Sequence, residues 1–113
     1  MKAIVDGLRY DTARADEIGR IGGQAVASDV EHHGPSVWSE ALYMTPAGRF
    51  FLSGYGAKGT RWYRQSAPEN RNTEGGQEVG WAIRALEEGE AQAWVEKYCS
   101  VDVYEQLWDA EDA

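Results

Sequence analysis

The clearest hydrophobic pattern lies in the middle of the chain, where large apolar residues alternate with smaller or polar ones. Over residues 37–45, every second residue on one side of an extended chain is apolar, except for Glu40. Residues 45–48 read Thr-Pro-Ala-Gly, which places proline and glycine where a tight turn favours them. The pattern therefore predicts a hairpin whose second strand covers residues 49–55.

Shorter segments predict the other strands of an antiparallel sheet with four to six strands. A strand at 2–5 leads through an Asp-Gly turn to a partner at 8–10. The segments 60–65 and 80–86 also alternate and are predicted as strands. Between them, residues 66–76 are rich in Gly, Pro, Asn and charged residues, and predict a mobile surface loop.

Helices are predicted at both ends of the chain. Apolar residues within 91–98 recur at the spacing of one helical face, and Ser100 follows as the cap of a second short helix. Near the start, Asp11 or Thr12 is suited to cap a short helix that ends at Ile18. The expected fold class is α+β: an antiparallel β-sheet with a short N-terminal helix and two C-terminal helices.

Length and composition favour one folded domain covering residues 1–113. Apolar residues make up 42% of the chain, and five tryptophans supply large side chains for a core. No apolar run approaches the roughly 20 residues of a membrane span, and no signal-like apolar segment follows Met1. A lone cysteine, Cys99, fits a reducing compartment. These features predict a cytoplasmic protein.

The net charge of −8 is unevenly distributed. Residues 74–113 carry eleven carboxylates against two basic side chains, whereas residues 49–71 carry five basic side chains against one carboxylate. Such a surface repels phosphate backbones and anionic membranes and attracts a basic partner, although it also fits a protein that is merely soluble. Seven of the eleven carboxylates of the C-terminal segment are predicted to bind the partner: Glu87, Glu88, Glu90, Glu96, Asp102, Glu105 and Asp109.

Motifs that would carry catalysis are weak, and the sequence predicts no catalytic residue, metal site or cofactor. Residues 54–59 match G-x-G-x-x-G, but the predicted strand at 60–65 leaves no helix to hold a pyrophosphate. His32 and His33 have no further ligand at zinc spacing, and Cys99 has no catalytic partner.

The basic and aromatic residues near position 61 leave two further functions open. An enzyme site around Arg61, Tyr63 and Arg64 is one alternative. Stacking of these side chains on single-stranded nucleic acid is another, which the overall charge opposes.

Three phrases of the sequence resemble a set of small, mostly uncharacterised proteins of bacteria and mobile elements. Residues 41–56 resemble their hairpin LYxTxxGRxFLxGxG, although Met44 stands where a basic residue is usual. Residues 7–12 resemble GxRYDT, and residues 90–96 resemble the acidic helix EEAxxWxE. The resemblance implies a mobile-element setting and no catalytic residue, and by analogy of class it points to an anti-CRISPR protein.

Charge and resemblance together predict a non-enzymatic inhibitor of a bacterial nucleic-acid-targeting defence complex. Its acidic face would compete with nucleic acid for the basic surface of a CRISPR effector or nuclease. The alternative is an immunity protein or antitoxin that neutralises a basic toxin through the same face. Direct binding of nucleic acid or membrane is not expected, and homodimerisation is open because a sheet edge can pair with a second copy.

Overall fold

An antiparallel sheet organises the chain in a computed structural model that describes residues 1–26 and 35–113. Within these residues the sheet has five strands in the order β3-β4-β5-β7-β6, and a separate hairpin pairs β1 with β2. The α+β class and the antiparallel sheet are thus confirmed. The elements are β1 (Lys2–Val5), β2 (Leu8–Asp11), β3 (Asp16–Val26), β4 (Pro35–Met44), β5 (Phe50–Ala57), α1 (Arg61–Gln65), β6 (Arg71–Glu74), β7 (Gln77–Leu86), α2 (Glu88–Tyr98) and α3 (Val101–Leu107).

The predicted central hairpin is confirmed. Strands β4 and β5 pair with Leu42 opposite Leu52. The turn closes with the Gly48 amide donating to the Thr45 carbonyl at 2.9 Å. Gly48 has a φ of 82°, a left-handed conformation that glycine adopts without strain. Turn chemistry and alternation therefore agree in this part of the chain.

The predicted N-terminal helix is wrong. Asp11 does cap a turn, with its Oδ1 accepting from the Ala13 amide at 3.0 Å, but this turn is a 3-10 helix of three residues, Thr12–Arg14. The chain then continues as β3, which pairs with β4 from Asp16 onward. Pairing with a long neighbouring strand supplies hydrogen bonds that a short isolated helix lacks, so the tertiary context prevails over the local signal.

The segment predicted as a strand at 60–65 forms helix α1 instead. Thr60 caps it by accepting from the Tyr63 amide, and Trp62 is fully buried against the sheet. A helix therefore does follow the G-x-G-x-x-G string, contrary to the reason given above for rejecting a nucleotide site. It has only five residues, and Gly54 and Gly56 of the string allow close packing of Trp62 and Thr60.

The segment 66–76, predicted as a loop, forms regular secondary structure over most of its length. Pro68–Asn70 form a 3-10 turn, and β6 pairs with β7 at the edge of the five-stranded sheet. Gly75 and Gly76 make the tight turn between them, with φ values of 57° and 81°.

Each face of the sheet is covered by a different part of the chain. On one face, Trp62 of α1 and Trp94 and Val95 of α2 pack on Leu42 and Leu52. On the other face, Tyr10 of the β1–β2 hairpin joins Tyr43 and Phe51 in a smaller cluster.

Both predicted C-terminal helices are confirmed. Ser100 caps α3 by accepting from the Val103 amide at 3.3 Å. Val101 is an exception to the predicted apolar side, because it is 71% exposed and Val103 packs against the core instead. No helix in the part of the chain described here has the length and apolar character to cross a bilayer.

Candidate functional site

Glu40, the residue that interrupts the apolar side of β4, lies at the centre of a buried polar cluster. Its side chain is almost fully inaccessible, and the residue as a whole is 4% exposed. Oε1 accepts from Arg61 Nη2 at 2.8 Å and from Trp62 Nε1 at 3.1 Å. Oε2 accepts from Trp94 Nε1 at 2.9 Å. We call Glu40, Arg61, Trp62 and Trp94 the Glu40 cluster.

Two glycines of β5 allow α1 to approach the sheet closely enough to form this cluster. Gly54 pairs with Glu40 across the strands. A Cβ atom at Gly54 would lie 1.8 Å from Cδ2 of Trp62, and one at Gly56 would lie 2.1 Å from Oγ1 of Thr60. Any larger residue would therefore displace α1 and its indole donor.

The donors around Glu40 explain how a carboxylate is accommodated in an apolar core. Burying a charge is costly unless it is paired and hydrogen-bonded. Arg61 supplies the opposite charge while its side chain stays 42% exposed, and its guanidinium lies 4.9 Å from the Trp62 ring centroid. The arrangement fixes the positions of two indoles and one guanidinium with a single carboxylate.

A cavity of about 410 Å³ lies beside the Glu40 cluster. Trp38, Trp94 and Tyr98 contribute aromatic walls, and Arg61 and Arg64 contribute positive charge. Arg64 Nη1 donates to the Gly59 carbonyl at 2.9 Å. Among the described residues, Arg64 has no carboxylate within ion-pair distance. We call this space the aromatic cavity.

Part of the predicted acidic site is engaged in contacts within the chain. Glu87 and Glu90 form a capping box at the start of α2, in which Glu90 Oε1 accepts from the Glu87 amide at 3.0 Å. Glu90 also pairs with Arg84 at 2.9 Å. Glu88 is exposed in the first turn of the same helix. These carboxylates stabilise a helix terminus, as acids in a first turn do.

The remaining predicted carboxylates lie around α3. Glu96, Glu105 and Asp109 line a groove of about 480 Å³ between α2, α3 and the residues that follow, together with Glu111. We call it the acidic groove. Asp102 lies in the first turn of α3. None of these five carboxylates forms an ion pair with a lysine or arginine of the described residues.

Other candidates of the sequence are dispersed. Cys99 is partly buried behind Gly19, and burial raises the pKa of its thiol, which lowers its reactivity. Tyr63 does not line the aromatic cavity. The guanidinium carbon of Arg71 lies over its ring, 4.4 Å from the ring centroid. His32 and His33 lie outside the described residues. Within 1–26 and 35–113, no group of three histidine, cysteine or acidic residues is arranged to hold a metal ion.

Comparisons of the chain with family models, with curated proteins and with solved structures give no match. The site is therefore interpreted from its own geometry. In the sequence pattern, Glu40 stands out only as an interruption of an apolar side. Its partners were not identified, because Trp62 and Trp94 lie 22 and 54 residues away and reach it only in the folded chain.

Proposed function

We propose that this protein is a non-enzymatic inhibitor of the anti-CRISPR type, which binds a basic surface of a bacterial nucleic-acid-targeting defence complex. The observation that supports the proposal is the acidic groove, which Glu96, Glu105 and Asp109 line without an ion-pair partner among the described residues. Carboxylates that line the same groove repel one another, so a cationic partner gains attraction and reduces this repulsion in the same step.

Apolar contacts next to the acidic groove complement its charge. Val101 lines the groove and is 71% exposed, and the partly buried Tyr104 lines it as well. Exposed aromatic and aliphatic side chains anchor protein interfaces, whereas surrounding charges mainly steer the encounter and increase its rate. The predicted site is therefore centred on Glu96, Asp102, Glu105 and Asp109. Glu87, Glu88 and Glu90 are secondary in this proposal, because two of them already cap α2.

A plasmid-transformation assay tests the proposal in cells. Strains that carry one CRISPR system each, of several types, are transformed with a plasmid that the system targets. An active inhibitor restores transformation in at least one strain. The double variant Glu96→Lys/Glu105→Lys is expected to lose this effect, because it reverses the charge of the acidic groove.

A matched control separates the groove from overall charge. Asp16→Lys/Glu69→Lys changes the net charge by the same amount at exposed positions outside the groove. We expect this control to protect the plasmid like the wild type. Equal activity of the two double variants would contradict the proposed surface, and an absence of protection in every strain would contradict the proposed target.

A pull-down from bacterial lysate, eluted along a salt gradient, identifies the partner. Release of a CRISPR effector or nuclease at rising salt would support electrostatic competition with nucleic acid. Capture of one small basic toxin, together with rescue of cells that express it, would replace the proposal by an immunity protein or antitoxin.

A further inference from the structure

The aromatic cavity differs from the acidic groove in the charge and in the aromatic character of its lining. Its walls are held in place from behind: the Trp94 indole is hydrogen-bonded to Glu40, and the Trp94 and Tyr98 rings contact at 5.2 Å between centroids. Trp38 completes the wall from β4, where a Cβ at the facing Gly23 would lie 3.3 Å from its Nε1. Walls fixed in this way bind a ligand without first losing side-chain freedom.

The charge at the cavity is positive although the chain is acidic. Arg61 and Arg64 stand three residues apart on α1, which places both on one side of the helix. Glu40 compensates Arg61 through a single guanidinium nitrogen, Nη2. Arg64 Nη1 donates a hydrogen bond to the neutral carbonyl of Gly59, and Arg64 has no carboxylate partner among the described residues. One positive charge therefore stays uncompensated beside four aromatic residues, Trp38, Trp62, Trp94 and Tyr98.

From this combination we infer that the aromatic cavity binds a small planar aromatic anion, of about the size of a nucleoside monophosphate. Planar rings stack on tryptophan and tyrosine, whereas guanidinium groups bind carboxylate and phosphate through paired N–H donors. The volume of about 410 Å³ lies in the range of small-molecule sites and is too small for a folded partner. The inference does not depend on the proposed inhibitory function, since it concerns a different surface.

Four probes separate the ring from the charge and the phosphate from the carboxylate. They are adenosine 5′-monophosphate, adenosine, ribose 5-phosphate and indole-3-acetate. Binding is followed through the indole N–H signals in ¹⁵N-resolved spectra of the intact protein, where Trp94 and Trp62 report on the cavity. We expect saturable binding of at least one aromatic anion, about tenfold tighter than that of adenosine or ribose 5-phosphate.

Substitution of Arg64 tests the placement of the anionic group. Arg64→Gln removes an exposed charge whose described hydrogen bond is to the Gly59 carbonyl, so the fold is expected to persist. It should weaken binding of the aromatic anion about tenfold, whereas Arg49→Gln, at an exposed position of the β4–β5 turn, should leave it unchanged. Saturable binding of none of the four probes at 10 mM, or equal binding by Arg64→Gln and wild type, would overturn the inference.

Discussion

Glu40 and the carboxylates of the acidic groove have the same chemistry and opposite surroundings. Glu40 is 4% exposed and accepts hydrogen bonds from Arg61, Trp62 and Trp94. Glu96, Glu105 and Asp109 are exposed and have no cation within ion-pair distance among the described residues. The buried charge is satisfied by the fold itself, whereas the exposed charges leave their attraction available to another molecule.

This difference distinguishes residues that maintain the structure from residues that act on a partner. Removing an acceptor from the core leaves buried donors without a partner, and this raises the free energy of the folded state. Removing a carboxylate from the surface changes the electric field around the protein but hardly changes its stability. Substitutions in the core should therefore cost more stability than substitutions at the surface.

Glu40→Ala should cause the largest loss of stability. Two indole N–H groups would lose their acceptor, one on a fully buried tryptophan and one on a tryptophan that is 7% exposed. We expect the free energy of unfolding to fall by about 3–5 kcal/mol, measured by urea denaturation. Glu96→Ala is the matched surface control and should change it by less than about 0.5 kcal/mol.

A conservative variant keeps this prediction testable if Glu40→Ala fails to fold. Glu40→Gln retains one carbonyl acceptor but turns an amide toward a donor, so we expect a smaller loss than for alanine. Equal stability of Glu40→Gln and Glu96→Ala would show that the cluster does not support the fold.

Gly54→Ala should have the second largest effect, because the Glu40 cluster forms only if Trp62 lies directly on the strand. A Cβ atom 1.8 Å from the indole forces α1 away, and overpacking of this kind costs about 1–3 kcal/mol or more. Gly89→Ala is the matched control, since a Cβ there meets no atom within 4 Å and lies in α2. It should stabilise the protein by about 0.5–1 kcal/mol, and a loss on Gly89→Ala equal to that on Gly54→Ala would contradict the packing argument.

Tyr55 and Glu74 form an intermediate case, in which a surface carboxylate has a partner within the chain. The Tyr55 hydroxyl donates to Glu74 Oε2 at 2.6 Å, and this bond, with burial, raises the pKa of Tyr55 to about 12. Because the folded state favours the protonated phenol, its stabilising effect is complete below pH of about 10 and disappears as the pH rises toward 12.

Alkaline titration measures this smallest effect. We expect Tyr55→Phe to reduce the loss of stability between about pH 10 and 12, without changing it near neutrality by more than about 1 kcal/mol. Absorbance at 295 nm should show that one tyrosine fewer ionises late in the titration. Parallel stability curves for the variant and the wild type would contradict the assigned hydrogen bond.

Local patterns predicted well those elements whose signals come from neighbouring residues. The β4–β5 hairpin depends on alternation and on a Pro-Ala-Gly turn, and α2 and α3 depend on helical spacing and on the Ser100 cap. In contrast, the pattern predicts a strand at 60–65, because six alternating residues do not distinguish a strand from a short helix. The helix is favoured because it buries Trp62 over Gly54. This contact joins two separate elements, α1 and β5, so the local pattern does not predict it.

The sequence by itself determined the strand and helix periodicities, the central turn, and the concentration of acid in the C-terminal segment. Only the tertiary structure decided that residues 16–26 extend as a strand, and that Glu40 meets donors from α1 and α2. It also divided the acids into those that cap α2 and those that line the acidic groove. The physical reason is range: propensity and charge are properties of short segments, whereas the satisfaction of a buried carboxylate requires residues far apart in sequence to pack together.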